Sequence, residues 1–432
     1  MRIHFIGIGG IGISALAQYY LAKGNNITGS DLDFSEITGK IEKKGIKVKI
    51  GPHKKKNVPK STNLVIFSLA VRPDNPELLE SKKRGIKIQS YPEALGDLTK
   101  RYFTIAVSGT HGKSTTTAMI SLALKEAGFD PTVILGTKLR EFGDSNCRVG
   151  KSKYLVIEAD EWTASFLNYW PQIIILTNIE REHLDFYKNL KDILKTYRDY
   201  ISHLPKDGIL ILNKDDKNSY TKFSTIVRNV GYYFLKQKEA GELKKILKVP
   251  GKHNISNALA VLALTRVLKI SDKITFKALK KYRGAWRRFE EKKSTFDKKA
   301  VNLISDYGHH PTEIRATLEG VREKYAKKKI WLVFQPHQYQ RTHYLFNNFV
   351  KTFREIKTYR TIITDIFDVS GREEKKITKI VSSEKLVKKV NKKEVIYLSK
   401  DKIISHLKEN LKGREVVIIM GAGDIYQLTE HF

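Results

Sequence analysis

Cysteine is almost absent from this sequence: Cys147 is the only one in 432 residues. One thiol cannot build an intramolecular disulfide or a multi-cysteine metal site, and it suits a reducing, cytoplasmic setting. Long apolar runs are missing too. Stretches such as Ile173-Ile174-Ile175-Leu176 and Val416-Val417-Ile418-Ile419-Met420 are strand-sized, far below the ~18–20 residues of a membrane span, so no membrane association is expected. The N-terminal stretch imitates a secretory signal, with Arg2, an apolar segment and Ser14-Ala15-Leu16-Ala17. Glycines at fixed spacing interrupt that segment and a polar Asp31 follows, which argues against the signal reading. Internal repeats and low-complexity linkers are also lacking.

Acidic residues are scarce beside basic ones, 46 Asp and Glu against 79 Lys and Arg, giving a formal net charge of +33. Such a charge invites a nucleic-acid reading. The lysine clusters, among them Lys54-Lys55-Lys56 and Lys327-Lys328-Lys329, fall in loops and helix flanks without interleaved stacking aromatics. They read as a composition bias over solvated faces, so no dedicated nucleic-acid partner is expected. The same charge helps to attract polyanionic small substrates.

With 41% hydrophobic residues the chain can bury sizeable cores, and its length predicts two or three domains. Strand-like and helix-like segments alternate, the pattern of α/β domains with mainly parallel sheets. Strands are expected at 2–8, 26–30, 63–68, 102–107, 153–158, 172–177, 300–305, 330–334, 361–364, 394–398 and 415–420, with helices at 11–23 and 114–127. Restarts of the pattern predict domains 1–99, 100–288 and 289–432.

The most specific local signal is Gly109-Thr110-His111-Gly112-Lys113-Ser114-Thr115, between an apolar strand and a helix. Glycines let backbone N–H groups turn toward a phosphate, the helix N-terminus adds its positive end, and Lys113 reaches the outer phosphates. Ser114 or Thr115 is placed to ligate Mg²⁺. The full pattern would want a glycine where Val107 stands, so this is a shorter variant. Glu158 closes a later strand, with Asp160 and Glu161 behind it, and His183 lies in Thr177-Asn178-Ile179-Glu180-Arg181-Glu182-His183-Leu184-Asp185. Hard oxygen ligands near a phosphate loop imply Mg²⁺. His183 completes the set or bonds a metal-bound water.

A second glycine cluster, Gly7-Ile8-Gly9-Gly10-Ile11-Gly12, satisfies the G-x-G-x-x-G fingerprint, and Asp31 follows at the distance a nicotinamide site wants. Alone it makes a dehydrogenase a candidate. A glycine turn grips any diphosphate, however, and a chain with both this turn and a phosphate loop is expected to bind two phosphorylated ligands. NAD and a UDP-sugar both remain open on these residues.

These motifs, with Gly29-Ser30-Asp31, Ser68 through Pro76, Pro250-Gly251-Lys252-His253-Asn254 plus Asn257, Arg287-Arg288-Phe289, Asp306-Tyr307-Gly308-His309-His310-Pro311-Thr312-Glu313, Gln335-Pro336-His337, Arg341-Thr342 and Gly421-Ala422-Gly423-Asp424-Ile425, resemble those of the Mur ligases of peptidoglycan synthesis. The match runs over nearly the whole chain. The resemblance implies three α/β domains: a Rossmann-like UDP-sugar domain, a central ATPase and a Rossmann-like C-terminal domain that brings the amino acid. In the family, ATP phosphorylates the carboxylate of UDP-N-acetylmuramate, and the amine of L-alanine attacks the acyl phosphate. A UDP-linked peptide acceptor, as in archaeal pseudomurein synthesis, is the alternative within the same chemistry. A monomer or weak dimer is expected.

By position, the resemblance implies that Gly9, Gly10, Ile11, Gly12, Ser14, Asp31 and Ser68 bind the UDP-sugar. Asn254 and Asn257 would contact adenine and Asp306 the ribose, with Arg288 also at ATP. Lys113, Glu158, His183, Arg287 and His309 would serve catalysis, and Ser114, Thr115, Glu158 and His183 the Mg²⁺. His337 and Arg341 would take the amino acid. Two departures stand out. The family's Gln-Pro-His-Arg-x-x-Arg reads here Gln335-Pro336-His337-Gln338-Tyr339-Gln340-Arg341, so Gln338 loses a charged fork and leaves the carboxylate to Arg341. Thr137 stands where a second glycine is common.

Overall fold

The computed structural model describes residues 1–369 and 374–432. Three sheets form in chain order. The first joins β1 (Arg2–Ile6), β2 (Asn26–Asp31), β3 (Lys47–Ile50), β4 (Leu64–Phe67) and β5 (Lys87–Ser90) in the order β3-β2-β1-β4-β5. All its pairs are parallel. The strand order turns back at β1, so the crevice beyond the C-terminal ends of β1 and β4 is the place where such sheets bind ligands.

The second sheet joins β6 (Phe103–Ser108), β7 (Thr132–Leu139), β8 (Ser145–Arg148), β9 (Tyr154–Ala159), β10 (Ile173–Leu176), β11 (Ile209–Asn213) and β12 (Asn229–Tyr233) in the order β12-β11-β10-β6-β9-β7-β8. Only β7 and β8 pair antiparallel, with a register shift between Ile134 and Leu139. The central strands are apolar without alternation because helices cover both faces; Ile173 through Leu176 are all buried.

The third sheet joins β13 (Glu290–Phe296), β14 (Lys299–Asp306), β15 (Ile330–Phe334), β16 (Arg360–Ile363), β17 (Val395–Tyr397) and β18 (Val416–Met420) in the order β13-β14-β18-β15-β16-β17. Its period of two is visible in the cores. Ile330, Leu332 and Phe334 join Val416, Ile418 and Met420 on one face. Trp331 and Val333 join Val417 and Ile419 on the other.

The chain forms two compact units. Residues 1–179, 193–237 and 257–281 carry the first two sheets; residues 180–192, 238–256 and 282–432 carry the third. The restart of the pattern near residue 100 therefore marks a new sheet inside one unit. The reason lies in a polar seam. The helix Ile11–Ala22 presents Gln18, whose Nε2 donates to Asn146 Oδ1 at 2.7 Å, and Asn146 Nδ2 donates to Ser14 Oγ at 2.9 Å. Buried amides of this kind hold two elements in one register, because separating them would leave donors unmet.

All the expected strands form, to within two residues at either end. Unforeseen were β3, β5, β7, β8, β11, β12 and β13. Most are short or edge strands, with weak apolar patterns such as Lys-Val-Lys-Ile. No helix among the described residues is long and apolar enough to cross a membrane.

Candidate functional site

In the first unit, β6 runs into the phosphate loop and the helix Lys113–Glu126 leaves it. Gly109 has φ +130°, and a Cβ there would lie 2.1 Å from Thr177 Oγ1, so no other residue fits. Asn178 grips the loop from the next strand's end: its carbonyl accepts from Thr110 N at 2.9 Å and its Oδ1 accepts from His111 N at 2.9 Å. Lys113 Nζ donates to Gly109 O at 2.7 Å and to Glu161 Oε2 at 2.9 Å, with Asp160 3.6 Å away. Burial alone would discharge this ammonium; the Glu161 and Asp160 carboxylates more than offset it and hold the lysine charged. Ser114 Oγ donates to Glu158 Oε2 at 2.9 Å, and Gly136 N–H donates to Glu158 Oε1 at 2.6 Å. A hydroxyl and a carboxylate thus meet beside the loop, a donor set suited to a hard cation. Asn257 lies against the loop as well, since a Cβ on Gly112 would come within 2.5 Å of its Oδ1.

The fingerprint turn sits at the C-terminal end of β1. Gly7 N and Ile8 N donate to Ser30 O at 2.9 and 3.1 Å, and Gly9 N donates to Asp31 Oδ2 at 2.7 Å. Asp31 is therefore spent on bracing the turn itself. Ser14 is buried, with Oγ donating to Ile11 O at 3.0 Å. Ser68 packs under Gly7, and its Oγ accepts from Ala70 N at 3.3 Å. Gly12 leaves room for the Tyr91 ring, 2.9 Å from where its Cβ would stand. The Tyr91 phenol is raised above its ordinary pKa by burial and then by the Glu158 and Asp160 carboxylates. This side chain thus packs on the glycine turn within the electrostatic reach of the carboxylates beside the phosphate loop.

The second unit gathers side chains instead of amides. Arg287 and Phe289 adopt left-handed backbone, φ 55° and 52°, around Arg288. Asp306 stitches this turn: Oδ2 accepts from Phe289 N at 2.8 Å and Oδ1 from Gly308 N at 2.8 Å. Burial pushes the Asp306 carboxyl up to about 6, against those two donors. Arg287 is buried among Trp286, Tyr307 and Tyr426 and donates to the carbonyls of Gly421 and Gly423. Arg288 is more exposed and lies over the Tyr307 ring at 4.7 Å. His310 caps the helix Pro311–Lys324, its Nδ1 accepting from Thr312 N at 3.2 Å. Half-buried His309 donates its backbone N–H to Glu313 Oε2 at 2.8 Å, and desolvation lowers its imidazole to about 4.

Arg341 is buried and paired. Its Nε and Nη2 donate to Glu182 Oε1 at 2.7 and 2.5 Å, and Nη1 donates to His337 O at 2.8 Å. Burial disfavours the Glu182 charge, but Arg341 overrides it and holds the carboxyl well below its ordinary range. Glu182 Oε2 has no hydrogen-bond partner in the structure. His337 stacks on Phe367, centroids 5.5 Å apart. Gln338 carries φ 72°, a strained value for a residue with a side chain. Gln338, Arg341, Glu182, His183, Leu184 and Leu345 line a narrow cleft.

The family models agree with this succession of sites. One for the Mur ligase catalytic domain matches residues 2–103, the Mur ligase middle domain matches 107–265, and the Mur ligase glutamate ligase domain matches 287–423. The chain belongs to the Mur ligase family. It is similar to the UDP-N-acetylmuramate–L-alanine ligase of Caldanaerobacter subterraneus subsp. tengcongensis, 40% identical over 100% of this chain and 97% of that one. The protein of that name from Acetivibrio thermocellus is 39% identical over 100% and 95%. Among solved structures, UDP-N-acetylmuramate-alanine ligase from Thermotoga maritima is 28% identical with TM-score 0.80, covering 100% of this chain and 98% of that one. A pseudomurein peptide ligase type C from Methanothermus fervidus is 17% identical with TM-score 0.61, over 100% and 99%; that likeness concerns the fold alone.

Within this Mur ligase, the expected residues fall into both units. Gly9, Gly10, Ile11, Gly12, Ser14, Asp31 and Ser68 surround the diphosphate turn, and Gly109–Thr115, Glu158 and Asn257 the phosphate loop. His183, Asn254, Arg287, Arg288, Asp306, His309, His337 and Arg341 belong to the second unit. Thr137 lies in β7 next to Gly136, where the β7–β8 register shifts. Sequence reasoning missed Tyr91, Asn178 as the loop's brace and Glu182 as the partner of Arg341. Asn178 and Glu182 stood inside a quoted motif, but nothing in their spacing revealed what they hold.

Proposed function

We propose that this chain is an ATP-dependent ligase that joins L-alanine to the lactoyl carboxylate of UDP-N-acetylmuramate in peptidoglycan precursor synthesis. The observation that carries the reading is the pair of glycine-rich phosphate grips in one unit, in a chain similar end to end to UDP-N-acetylmuramate–L-alanine ligases. The glycine turn at Gly7–Gly12 takes the UDP-sugar, and the loop at Gly109–Thr115 takes ATP. The domains run 1–99, 100–288 and 289–432, in a cytoplasmic monomer or weak dimer.

Lys113 moves from the Gly109 carbonyl to the β/γ-phosphates and stabilises charge as the γ-phosphoryl passes to the carboxylate. That step forms an acyl phosphate and releases ADP. The amine of L-alanine then attacks the acyl carbon, the C–N bond forms, the C–O bond to phosphate breaks, and the amine gives up its surplus proton. Ser114, Thr115, Glu158 and His183 would hold Mg²⁺, which neutralises phosphate charge. Asn254, Asn257 and Asp306 serve the nucleoside of ATP. Arg288, the more exposed of its pair, reaches phosphate while Arg287 holds the Gly421–Gly423 carbonyls. His309, uncharged at neutral pH, serves as a hydrogen-bonding group. His337 and Arg341 take the amino acid, whose carboxylate competes with Glu182 for the guanidinium.

The test is phosphate release from ATP over a panel of amino acids and UDP-linked acceptors. Turnover that requires both UDP-N-acetylmuramate and L-alanine is expected. Turnover with a UDP-peptide but not with UDP-N-acetylmuramate would overturn the assignment of the acceptor, and turnover with neither would overturn the ligase reading.

A further inference from the structure

The reaction above leaves one buried acid of the first sheet without a task. Glu77 opens the helix Pro76–Lys83 and is 0% exposed. A carboxylate buried so completely is costly unless its lone pairs are filled. Here they are: Oε2 accepts from His4 Nε2 at 2.9 Å and Ser30 Oγ at 2.7 Å, and Oε1 accepts from His53 Nδ1 at 2.8 Å and Asn57 Nδ2 at 2.8 Å. Those four donors, against the opposing effect of burial, bring the Glu77 carboxyl down to about 2. His4 is fixed in turn by Thr28 Oγ1, 2.9 Å from its Nδ1.

What this knot holds is not arbitrary. Ser30 is the residue whose carbonyl receives Gly7 N–H and Ile8 N–H, the first two amides of the diphosphate turn. His53 follows β3 by three residues, on the edge where Gly51 N donates to Asp31 O at 3.0 Å and Asp31 braces Gly9. An ionised carboxylate only accepts hydrogen bonds, so His53 Nδ1 must carry its proton toward Glu77. His53 is the ionisable partner of Glu77 that reaches the surface, its side chain 13% exposed.

We propose that Glu77 is a positioning residue of the UDP-sugar site, setting the Ser30 carbonyl under the glycine turn and aiming the His53 ring along the same sheet edge. It touches no substrate. It fixes the direction in which the turn's amides point before the diphosphate arrives, the kind of preorganisation that sets affinity. The inference rests on the turn being the UDP-sugar site.

A purely structural knot predicts something different, and two matched variants separate the cases. Ser30→Ala and Asn57→Ala each remove one donor to the same carboxylate, but only Ser30 connects to the turn. Titration calorimetry of each full-length variant with UDP-N-acetylmuramate, and separately with a non-hydrolysable ATP analogue, reads the outcome. We expect Glu77→Gln to raise the Kd for the UDP-sugar about tenfold, with the ATP-analogue Kd and the kcat at saturation within about twofold of wild type. Ser30→Ala should weaken UDP-sugar binding and Asn57→Ala should not, whatever Tm each shows. If Glu77→Gln fails to fold, the Ser30 and Asn57 pair decides alone. Equal effects of that pair on UDP-sugar affinity, or an unchanged Kd in Glu77→Gln, would overturn the inference. If wild type binds no UDP-sugar at all, the underlying assignment of the turn fails instead.

Discussion

The two units solve the problem of holding anionic ligands in opposite ways. In the first, the candidate grips are backbone amides on glycine turns; Asp31 and Glu158 brace backbone N–H groups around them, and Glu77 gathers side-chain donors beneath. In the second, the candidate grips are arginine side chains already engaged by the fold: Arg341 on Glu182, and Arg288 over the Tyr307 ring. Amide grips stand ready, whereas paired arginines bind only by exchanging one partner for another. Two buried carboxylates, one in each unit, are braced the other way round. Glu77, with four side-chain donors, falls to about 2, while Asp306, with two backbone donors, rises to about 6. Burial opposes both charges; four side-chain donors outweigh it at Glu77, while at Asp306 two backbone donors and Arg288 do not.

The largest effect should come from emptying an amide grip of its one mobile cation. Lys113→Ala is expected to lower ATP turnover by about a thousandfold or more while leaving UDP-sugar affinity near wild type by calorimetry. Comparable loss of both would mean that the two grips of the first unit are not independent. Next is the paired arginine. Arg341→Met strands a buried Glu182 and should cost about 3–5 kcal/mol of stability in denaturant titrations. The double variant with Glu182→Gln should cost clearly less than the sum, and strict additivity would break the picture of an internally occupied guanidinium.

Gln338→Arg adds a second cation beside the first and should lower the KM for L-alanine about three- to tenfold. An unchanged KM would show that Arg341 suffices.

The smallest effects are in pH. Glu77 is depressed below its usual 4.5, so its contribution to stability is complete above that value and is lost as pH falls toward 2. Asp306 is raised above its usual 3.8, so between about 4 and 6 its ionisation reduces stability as pH rises. Unfolding free energies of Glu77→Gln and Asp306→Asn followed across pH 3–7 should therefore differ from wild type with opposite slopes. His4 and His53 face Glu77, and Arg288 and Glu313 act on Asp306, so the slopes belong to those neighbourhoods. Parallel slopes would erase the contrast.

The parts legible beforehand were those whose chemistry is local. The strand–loop–helix at Gly109–Thr115 could be read because amides, helix end and lysine all come from neighbouring residues. The fingerprint at Gly7–Gly12 was legible for the same reason. Long apolar runs located the central strands of each sheet. The edge strand at Lys47–Ile50 was not legible, since it is short and half charged and only its pairing with β2 makes it a strand. Asp31 shows the limit at a site: its spacing from the glycines fitted a nicotinamide site, while in the fold it holds Gly9.

The sequence by itself determined the order of three α/β segments, the two glycine-rich turns and the membership of a ligase family, because each is written in contiguous residues with fixed geometry. Only the tertiary structure decided that Glu77 gathers His4, Ser30, His53 and Asn57, that Tyr91 packs on Gly12, and that Glu182 fills Arg341. Those partners lie tens to more than a hundred residues apart. Burial leaves a charge nowhere else to go than the donors the fold brings to it, and no local pattern says which those will be.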